Sequence, residues 1–154
     1  MIRITDQYFW NFVFSLFFIG MVVMGVIILD TEGYMSYQEL ETFDIVIISL
    51  ATFRMMRLFI YDNVTRFFRE QFYDAQVTKA GKVTLHKPPT GPRRTIADLL
   101  TCPWCFRLWS AATITFLYLL TPIAYFPILV FAIAAIATFL QNLSRLISAK
   151  ADII

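Results

Sequence analysis

The chain has 154 residues, of which 58% are apolar and 17% aromatic, while only 16% are charged. An ordinary soluble domain has about 25% charged residues. A soluble domain of this length would leave its surplus Phe and Ile exposed in large apolar patches. The composition therefore excludes that class and predicts a single membrane domain over residues 1–154. The net charge of +2 is too small to indicate a nucleic-acid partner.

Apolar segments of membrane-crossing character occur at four places along the chain. A helix needs about 20 apolar residues to cross the hydrocarbon core, and the first segment meets that length without a charged residue. It is longer than the apolar core of a signal peptide, about 7–15 residues, and no small-residue cleavage site follows it. We therefore predict an all-α membrane protein with four transmembrane helices, at about 8–29, 43–61, 105–120 and 123–147.

The distribution of Lys and Arg predicts the orientation of these spans. Residues 30–44 hold five acidic residues and no basic one, whereas residues 62–104 hold seven basic and four acidic residues. Arg3 precedes the first span, and Arg145 and Lys150 lie at the end of the fourth. Because cytoplasmic loops are enriched in Lys and Arg, both termini and the loop 62–104 are predicted to be cytoplasmic.

The first part of the cytoplasmic loop, Asp62 to Phe72, has aromatic and aliphatic residues at helical spacing and basic residues on the other side. This pattern favours an amphipathic helix in the membrane interface, with its rings among the lipid headgroups. A plain cytoplasmic extension of the second span that packs on the bundle is the alternative.

The remainder of the loop changes character. Val77-Thr78 and Val83-Thr84-Leu85 flank a Gly-containing turn and predict a short hairpin. Residues 87–94 are rich in Pro and basic residues and predict an extended linker that lies on anionic headgroups. A new helical segment is expected to open at Thr95 or Asp98.

Both cysteines of the chain lie in one motif, Cys102-Pro103-Trp104-Cys105, and one interpretation is a redox pair. A cysteine at a helix start has its thiolate favoured by backbone N–H groups and the helix dipole. Four-helix membrane thiol oxidoreductases with this spacing exist as a class. The predicted cytoplasmic location keeps thiols reduced, however, and there is no second cysteine pair and no βαβ pattern.

Two other interpretations of the cysteine motif stay open. Cys102 and Cys105 are half of a zinc site that His86 and Asp98 would complete, or two chains would share four thiolates. Alternatively the motif is structural: a helix start with interfacial Trp residues and two small apolar side chains. Residue chemistry alone favours this last interpretation, with no cofactor.

Arg54 and Arg57 lie one turn apart in the cytoplasmic half of the second span and share a face with Tyr61. Charges at such depth are costly and usually paired. Arg57 can extend toward Asp62 and the interface, whereas Arg54 needs an internal partner. The candidates are Asn11, Ser15, Gln141, Asn142 and Ser144. The four residues Arg54, Arg57, Tyr61 and Asp62 form either a polar network that fixes helix register or an anion or lipid-phosphate site.

Two stretches of the chain together resemble a known family. They are Leu50-Ala51-Thr52-Phe53-Arg54-Met55-Met56-Arg57-Leu58-Phe59-Ile60-Tyr61-Asp62, followed by Arg69, and Leu99-Leu100-Thr101-Cys102-Pro103-Trp104-Cys105, followed by Trp109. The resemblance, over about 45–147, is to small bacterial and phage membrane proteins known as domain of unknown function thirteen-sixty, some described as sporulation-related. The chain departs from the family pattern at Met55 and at Phe106-Arg107.

The family has no established activity to transfer, and the resemblance implies a location in the bacterial cytoplasmic membrane. It also implies that the arginines and the cysteines belong to one pattern and meet in one cytoplasmic-side cluster. In the fourth span, Ala134 and Thr138 allow close helix packing, within the bundle or between subunits of a homo-oligomer. Since no complete catalytic constellation is present, we expect a protein that acts through lipid or protein contacts at the inner leaflet, with thiol-redox or zinc chemistry as the alternative.

Overall fold

The computed structural model describes residues 2–32, 37–77 and 83–151, and it is all-α apart from one two-stranded hairpin. Short 3-10 turns at Tyr37–Glu39, Asn63–Thr65 and Pro122–Ala124 connect some of the elements. The helices and strands, in chain order, are α1 (Ile2–Glu32), α2 (Thr42–Ile60), α3 (Arg66–Glu70), β1 (Asp74–Val77), β2 (Val83–His86), α4 (Pro92–Thr101), α5 (Pro103–Leu120) and α6 (Tyr125–Ala151).

Two stretches of helix are long and apolar enough, by length and composition, to cross a membrane. They are Asp6–Glu32 and Pro122–Lys150, with mean hydropathies of 2.8 and 2.4. No residue in the apolar part of the first stretch is buried, and many large side chains of α1 are exposed. α2 and α5 are shorter, at 19 and 18 residues, and α2 carries Asp44, Arg54 and Arg57.

The described residues divide into two compact units. Unit 1 comprises the described residues within 1–27 and 56–109, and unit 2 comprises those within 28–55 and 110–154.

Unit 2 has a core to which α2, α5 and α6 each contribute. Small residues occupy its tightest positions, since Ala51 and Ala132 are fully or almost fully buried. Small side chains let helix backbones approach closely and increase dispersion contact between them. The buried members of this core are Ile47, Ile48, Ala51, Ile114, Tyr118, Leu119, Ile128 and Ala132.

Unit 1 contains most of α1, the last turn of α2, α3, the hairpin, α4 and the start of α5. Its hairpin is antiparallel, with Asp74 opposite His86 and Val77 opposite Val83. Arg93 holds the hairpin to α4, because its guanidinium donates to the Gln71 carbonyl at 2.9 Å and to the Asp74 carboxylate at 3.3 Å.

Helices lie at all four predicted spans, with ends that differ by a few residues. The hairpin is confirmed, and the turn between its strands lies outside the described residues. Asp62 to Phe72 is not one continuous helix: a 3-10 turn precedes α3, which has five residues. The prediction of an extended linker over residues 87–94 is wrong at the C-terminal end of that range, because Pro92 and the two arginines after it form the first turn of α4.

The physical reason for this early start of α4 lies in two adjacent residues. Gly91 has a φ of 103°, a conformation that glycine adopts without a steric penalty. Pro92 then occupies the first helical position, where its fixed φ suits a helix and its missing N–H costs no hydrogen bond. The Gly-Pro pair thus stops the preceding segment and starts the helix.

Candidate functional site

The cysteine motif forms the junction between α4 and α5. Cys102 has extended backbone torsions, and its carbonyl accepts the first helical hydrogen bond of α5, from Phe106 N–H at 3.0 Å. The Cys102 sulfur also accepts from the backbone N–H of Cys105 at 3.3 Å. Cys102 is therefore the N-cap of α5, with its sulfur in the position that a Ser or Asp oxygen usually takes.

Cys102 and Cys105 are joined as a disulfide, with their Cα atoms 5.4 Å apart. This separation lies within the range that disulfides require. Cys102 is half-buried and Cys105 is exposed. The pair is thus accessible, and one helical turn positions both sulfurs without any contribution from distant parts of the chain.

A groove of about 470 Å³ lies beside the two cysteines, within unit 1. Its walls come from α1, α4, the Cys102 junction and the first turns of α5. Aromatic and aliphatic side chains form most of the lining, and Trp109 packs against Phe18 with ring centroids 4.9 Å apart. The lining residues are Asn11, Phe14, Ser15, Phe18, Ile19, Thr95, Asp98, Leu99, Cys102, Cys105, Leu108 and Trp109.

One part of the groove wall belongs to a hydrogen-bond network between α1 and α4. Gln7 Nε2 donates to Thr95 Oγ1 at 3.0 Å and to Asn11 Oδ1 at 3.1 Å. Thr95, which is buried, also donates to Asn11 Oδ1 at 3.4 Å. These bonds fix the orientation of the Asn11 amide, since its oxygen is used as an acceptor and its nitrogen remains the donor group.

Asp98 contributes a carboxylate to the same wall, and two cations lie beside it. Lys87 Nζ is 2.7 Å from Oδ1 and Arg94 Nε is 3.6 Å from Oδ2. All three side chains are about 40% exposed, so solvent screens these pairs and each contributes little stability. Lys87 and Arg94 therefore offset the negative charge of the Asp98 carboxylate at the edge of the groove.

The corner between α2 and α3 is closed by side chains that bind the carbonyls at the end of α2. Thr65 Oγ1 donates to the Leu58 carbonyl. Arg69 donates to the carbonyls of Phe59 and Asp62, each at 3.4 Å. The last carbonyls of a helix have no intrahelical partner and carry partial negative charge, so these donors stabilise the corner.

The predicted arginine cluster is divided between the two units. Arg57, Tyr61 and Asp62 belong to unit 1 together with the cysteines, whereas Arg54 belongs to unit 2. The Arg57 guanidinium lies over the Tyr61 ring, 5.9 Å from its centroid, a distance typical of a cation–π contact. The anion or lipid-phosphate site at these residues stays a prediction.

One contact bears on the expected meeting of the arginines and the cysteines. Phe59, two residues after Arg57, contacts Phe106, the neighbour of Cys105, with ring centroids 5.5 Å apart. The end of α2 and the start of α5 are therefore neighbours within unit 1. Asn11, a predicted partner of Arg54, binds Gln7 and Thr95, and its pairing with Arg54 stays a prediction.

The proposed zinc ligands are not assembled around one point. His86 is an exposed residue at the end of β2, whereas Asp98 is on α4. Across the part of the chain that the structure describes, no group of three or more His, Cys, Asp and Glu side chains is placed to hold a metal ion. A zinc site shared between two chains stays a prediction.

Sequence reasoning missed Gln7 and Thr95, which make the long-range contact of the groove wall. It also missed the pairing of Asp44 with Tyr118, whose hydroxyl donates to Asp44 Oδ1 at 2.6 Å within unit 2. One signal was present for Thr95 and Asp44: each is a polar residue in the first turn of a helix and is followed by an Ile. No feature of the sequence identifies the partner of either residue.

These features define a class: a small helical protein with two membrane-length helices and a Cys-x-x-Cys pair that caps a helix. The chain belongs to the family described as "Protein of unknown function (DUF1360)", which matches residues 47–144. The resemblance found in the sequence is therefore confirmed.

Two curated bacterial proteins are similar to this chain. "Sporulation protein YjcA" of Bacillus subtilis (strain 168) is 32% identical over 104 residues, which covers 64% of this chain and 88% of the relative. "UPF0713 protein YngL" of the same organism is 28% identical over 100 residues, covering 63% and 75%. No solved structure matches the chain.

Proposed function

We propose that this chain is a four-span protein of the bacterial cytoplasmic membrane, with both termini in the cytoplasm, and that unit 1 binds anionic lipid at the inner leaflet. Two membrane-length helices support the location, and the one-sided distribution of Lys and Arg supports the orientation. α2 and α5 supply the other two spans, since each carries its arginines near the end that this orientation places inside.

The observation that carries the lipid-binding proposal is the surface around the α2–α3 corner and the α5 start. Val64, Phe67 and Trp104 are 84%, 76% and 77% exposed. Arg66 is exposed beside the first two, and the Arg107 guanidinium lies 4.9 Å from the centroid of the Trp104 ring. Exposed rings next to Arg suit the headgroup region, where each ring is partly dehydrated and each cation meets lipid phosphate.

Depth-dependent fluorescence quenching tests this proposal. The Trp10→Phe/Trp109→Phe variant leaves Trp104 as its single tryptophan and is reconstituted into vesicles with bromine at different acyl-chain depths. We expect stronger quenching by shallow bromines than by deep ones, and stronger quenching when the brominated lipid is anionic. Quenching of Trp104 by aqueous iodide with no effect of brominated lipid would contradict the proposal.

A charge-matched pair of variants tests the anionic preference. Arg66→Gln/Arg107→Gln removes two positive charges from the proposed surface and should abolish the preference for anionic lipid. Arg145→Gln/Lys150→Gln removes the same charge from the end of α6 and should retain it. If both variants lose the preference for anionic lipid equally, that preference reflects the net charge of the chain and not the proposed surface, which would contradict the proposal.

A second candidate function, thiol–disulfide exchange, is favoured by one observation: an accessible cysteine pair whose first sulfur caps a helix beside a groove. A backbone N–H that donates to sulfur, at the positive end of a helix, stabilises the attacking thiolate. In exchange with a partner disulfide, Cys102 would attack and release one partner thiolate, and Cys105 would resolve the mixed disulfide, which leaves the partner reduced and the pair oxidised. The reverse reaction oxidises a partner dithiol and leaves Cys102 and Cys105 as thiols.

Alkylation of the reduced, detergent-purified chain tests the second candidate. In the single variants Cys105→Ser and Cys102→Ser, the remaining Cys102 should react at least about tenfold faster near neutral pH than the remaining Cys105. Slow and equal reaction of both would count against exchange. Metal analysis of the same reduced sample tests the zinc alternative, which requires stoichiometric zinc that is lost in the Cys102→Ser/Cys105→Ser variant.

A further inference from the structure

We infer that the groove of unit 1 binds a quinone of the membrane, and that this quinone is the electron acceptor of the Cys102–Cys105 pair. The inference rests on the thiol–disulfide candidate in the direction that oxidises a partner dithiol and leaves Cys102 and Cys105 as thiols. It names the oxidant that re-forms their disulfide. It follows from the position of the groove, the chemistry of its lining and the electron balance at the cysteines.

The position of the groove gives lipid-soluble molecules access to the cysteines. Phe14, Phe18 and Ile19 come from α1, which carries exposed apolar side chains along most of its length. A ligand dissolved in the bilayer can therefore enter the groove along α1. The volume of about 470 Å³ falls within the range of roughly 300–1,000 Å³ typical of small-molecule sites.

The lining suits a planar ring that carries carbonyl oxygens. Phe14, Phe18 and Trp109 offer aromatic surfaces, on which a flat ring packs in offset or edge contacts. Asn11 brings an amide nitrogen to the same groove, and this group is a donor for a carbonyl oxygen. The Ser15 hydroxyl also lies at the groove, but its hydrogen is donated to the Asn11 backbone carbonyl at 2.9 Å. The network of Gln7 and Thr95 holds the amide of Asn11 in place.

The electron balance selects the same class of ligand. Cys102 and Cys105 each lose one electron and one proton when the S–S bond forms between them. A quinone takes up two electrons and two protons and leaves as the quinol, so one quinone balances one disulfide. Both cysteines line the groove that holds the ring, and the reaction needs no further oxidant.

Binding is tested separately from chemistry. In the Cys102→Ser/Cys105→Ser background, Trp10→Phe and Trp104→Phe leave Trp109 as the only tryptophan, and decylubiquinone is titrated into nanodiscs holding the chain. We expect saturable quenching of Trp109. Ser15→Phe, which fills the groove, should raise the apparent Kd at least about tenfold. Leu99→Phe is a second groove-filling variant and should have the same effect.

The matched control for the binding test is Leu16→Phe. Leu16 neighbours Ser15 on α1 but is exposed and does not line the groove, so this variant should keep the parent affinity. Quenching that rises without saturation, or that is unchanged by both groove-filling variants, would overturn the inference.

Electron transfer is tested on the reduced wild-type chain under anaerobic conditions. We expect one equivalent of decylubiquinone to be reduced per chain, with loss of both thiols, and Ser15→Phe to slow this step at least about tenfold. If the thiols are oxidised by a soluble disulfide and not by the quinone, the inference fails and thiol–disulfide exchange stands. If neither oxidant acts, both fail.

Discussion

The Tyr118 hydroxyl donates a 2.6 Å hydrogen bond to Asp44 Oδ1, which lies 74 residues earlier in the chain. Asp44 is in the first turn of α2 and also accepts from the Glu41 backbone N–H at 3.0 Å. A carboxylate at this position interacts favourably with the helix dipole. One acidic side chain therefore caps α2 and ties it to α5 within unit 2.

Removal of this hydroxyl is expected to destabilise the chain measurably. Tyr118→Phe keeps the buried ring and leaves the Asp44 oxygen without its donor, which costs about 2 kcal/mol of unfolding free energy for a bond to a charged group. Reversible denaturation in detergent micelles measures this loss. Tyr125→Phe, on the neighbouring ring at 6.0 Å, is the control and should change stability by less than about 0.5 kcal/mol.

The bond between Gln7 and Thr95 should make a smaller contribution. Thr95→Val keeps the side-chain shape but removes the acceptor for Gln7 and the donor to Asn11, so we expect a loss of about 1 kcal/mol. A double-mutant cycle with Gln7→Leu should give a coupling energy of at least about 0.5 kcal/mol. Additive losses would show that α4 is held to α1 by apolar packing alone.

Arg69 and Arg66 lie on the same short helix, but their substitution should reduce stability by different amounts. Arg69→Met removes the donors to the Phe59 and Asp62 carbonyls at the corner between α2 and α3, and we expect a loss of about 1–2 kcal/mol in unfolding free energy. Arg66→Met breaks only the exposed pair with Glu70, so its effect should be under about 0.5 kcal/mol. Equal effects of the two variants would contradict the capping role of Arg69.

Helix locations followed from the sequence because apolar runs of membrane-crossing length leave the chain few alternatives. The hairpin followed from two short segments that each contain a Val-Thr pair, on either side of a Gly-containing turn. The start of α4 did not follow from the sequence, because a Gly-Pro pair such as Gly91-Pro92 is typical both of a linker and of a helix start. The choice depends on where α4 docks, and that is settled by Thr95 binding Gln7 across 88 residues.

The candidate site was only partly predictable for the same reason. The cysteine spacing and the Pro after Cys102 pointed to a helix start, and Cys102 indeed caps α5. The groove beside it needs side chains from α1, such as Phe18, that look like any other lipid-facing residue in the sequence. Contacts between distant segments decide such a site, and local patterns carry no information about them.

The proposed four-span topology places the loop 62–104 and the cysteine pair on the cytoplasmic side of the membrane. It predicts that residue 39 lies outside the cell and residue 64 inside. If only α1 and α6 crossed the membrane, both residues would lie on the same outer side. Val64 is 84% exposed and Glu39 is also exposed, so both positions accept a reporter cysteine.

Labelling of intact cells with a membrane-impermeant maleimide makes the measurement. In the Cys102→Ser/Cys105→Ser background, Glu39→Cys should be labelled on intact cells, whereas Val64→Cys should be labelled only after permeabilisation. Ser148→Cys, near the end of α6, should behave like Val64→Cys. Labelling of Val64→Cys on intact cells, or protection of Glu39→Cys, would contradict the four-span topology.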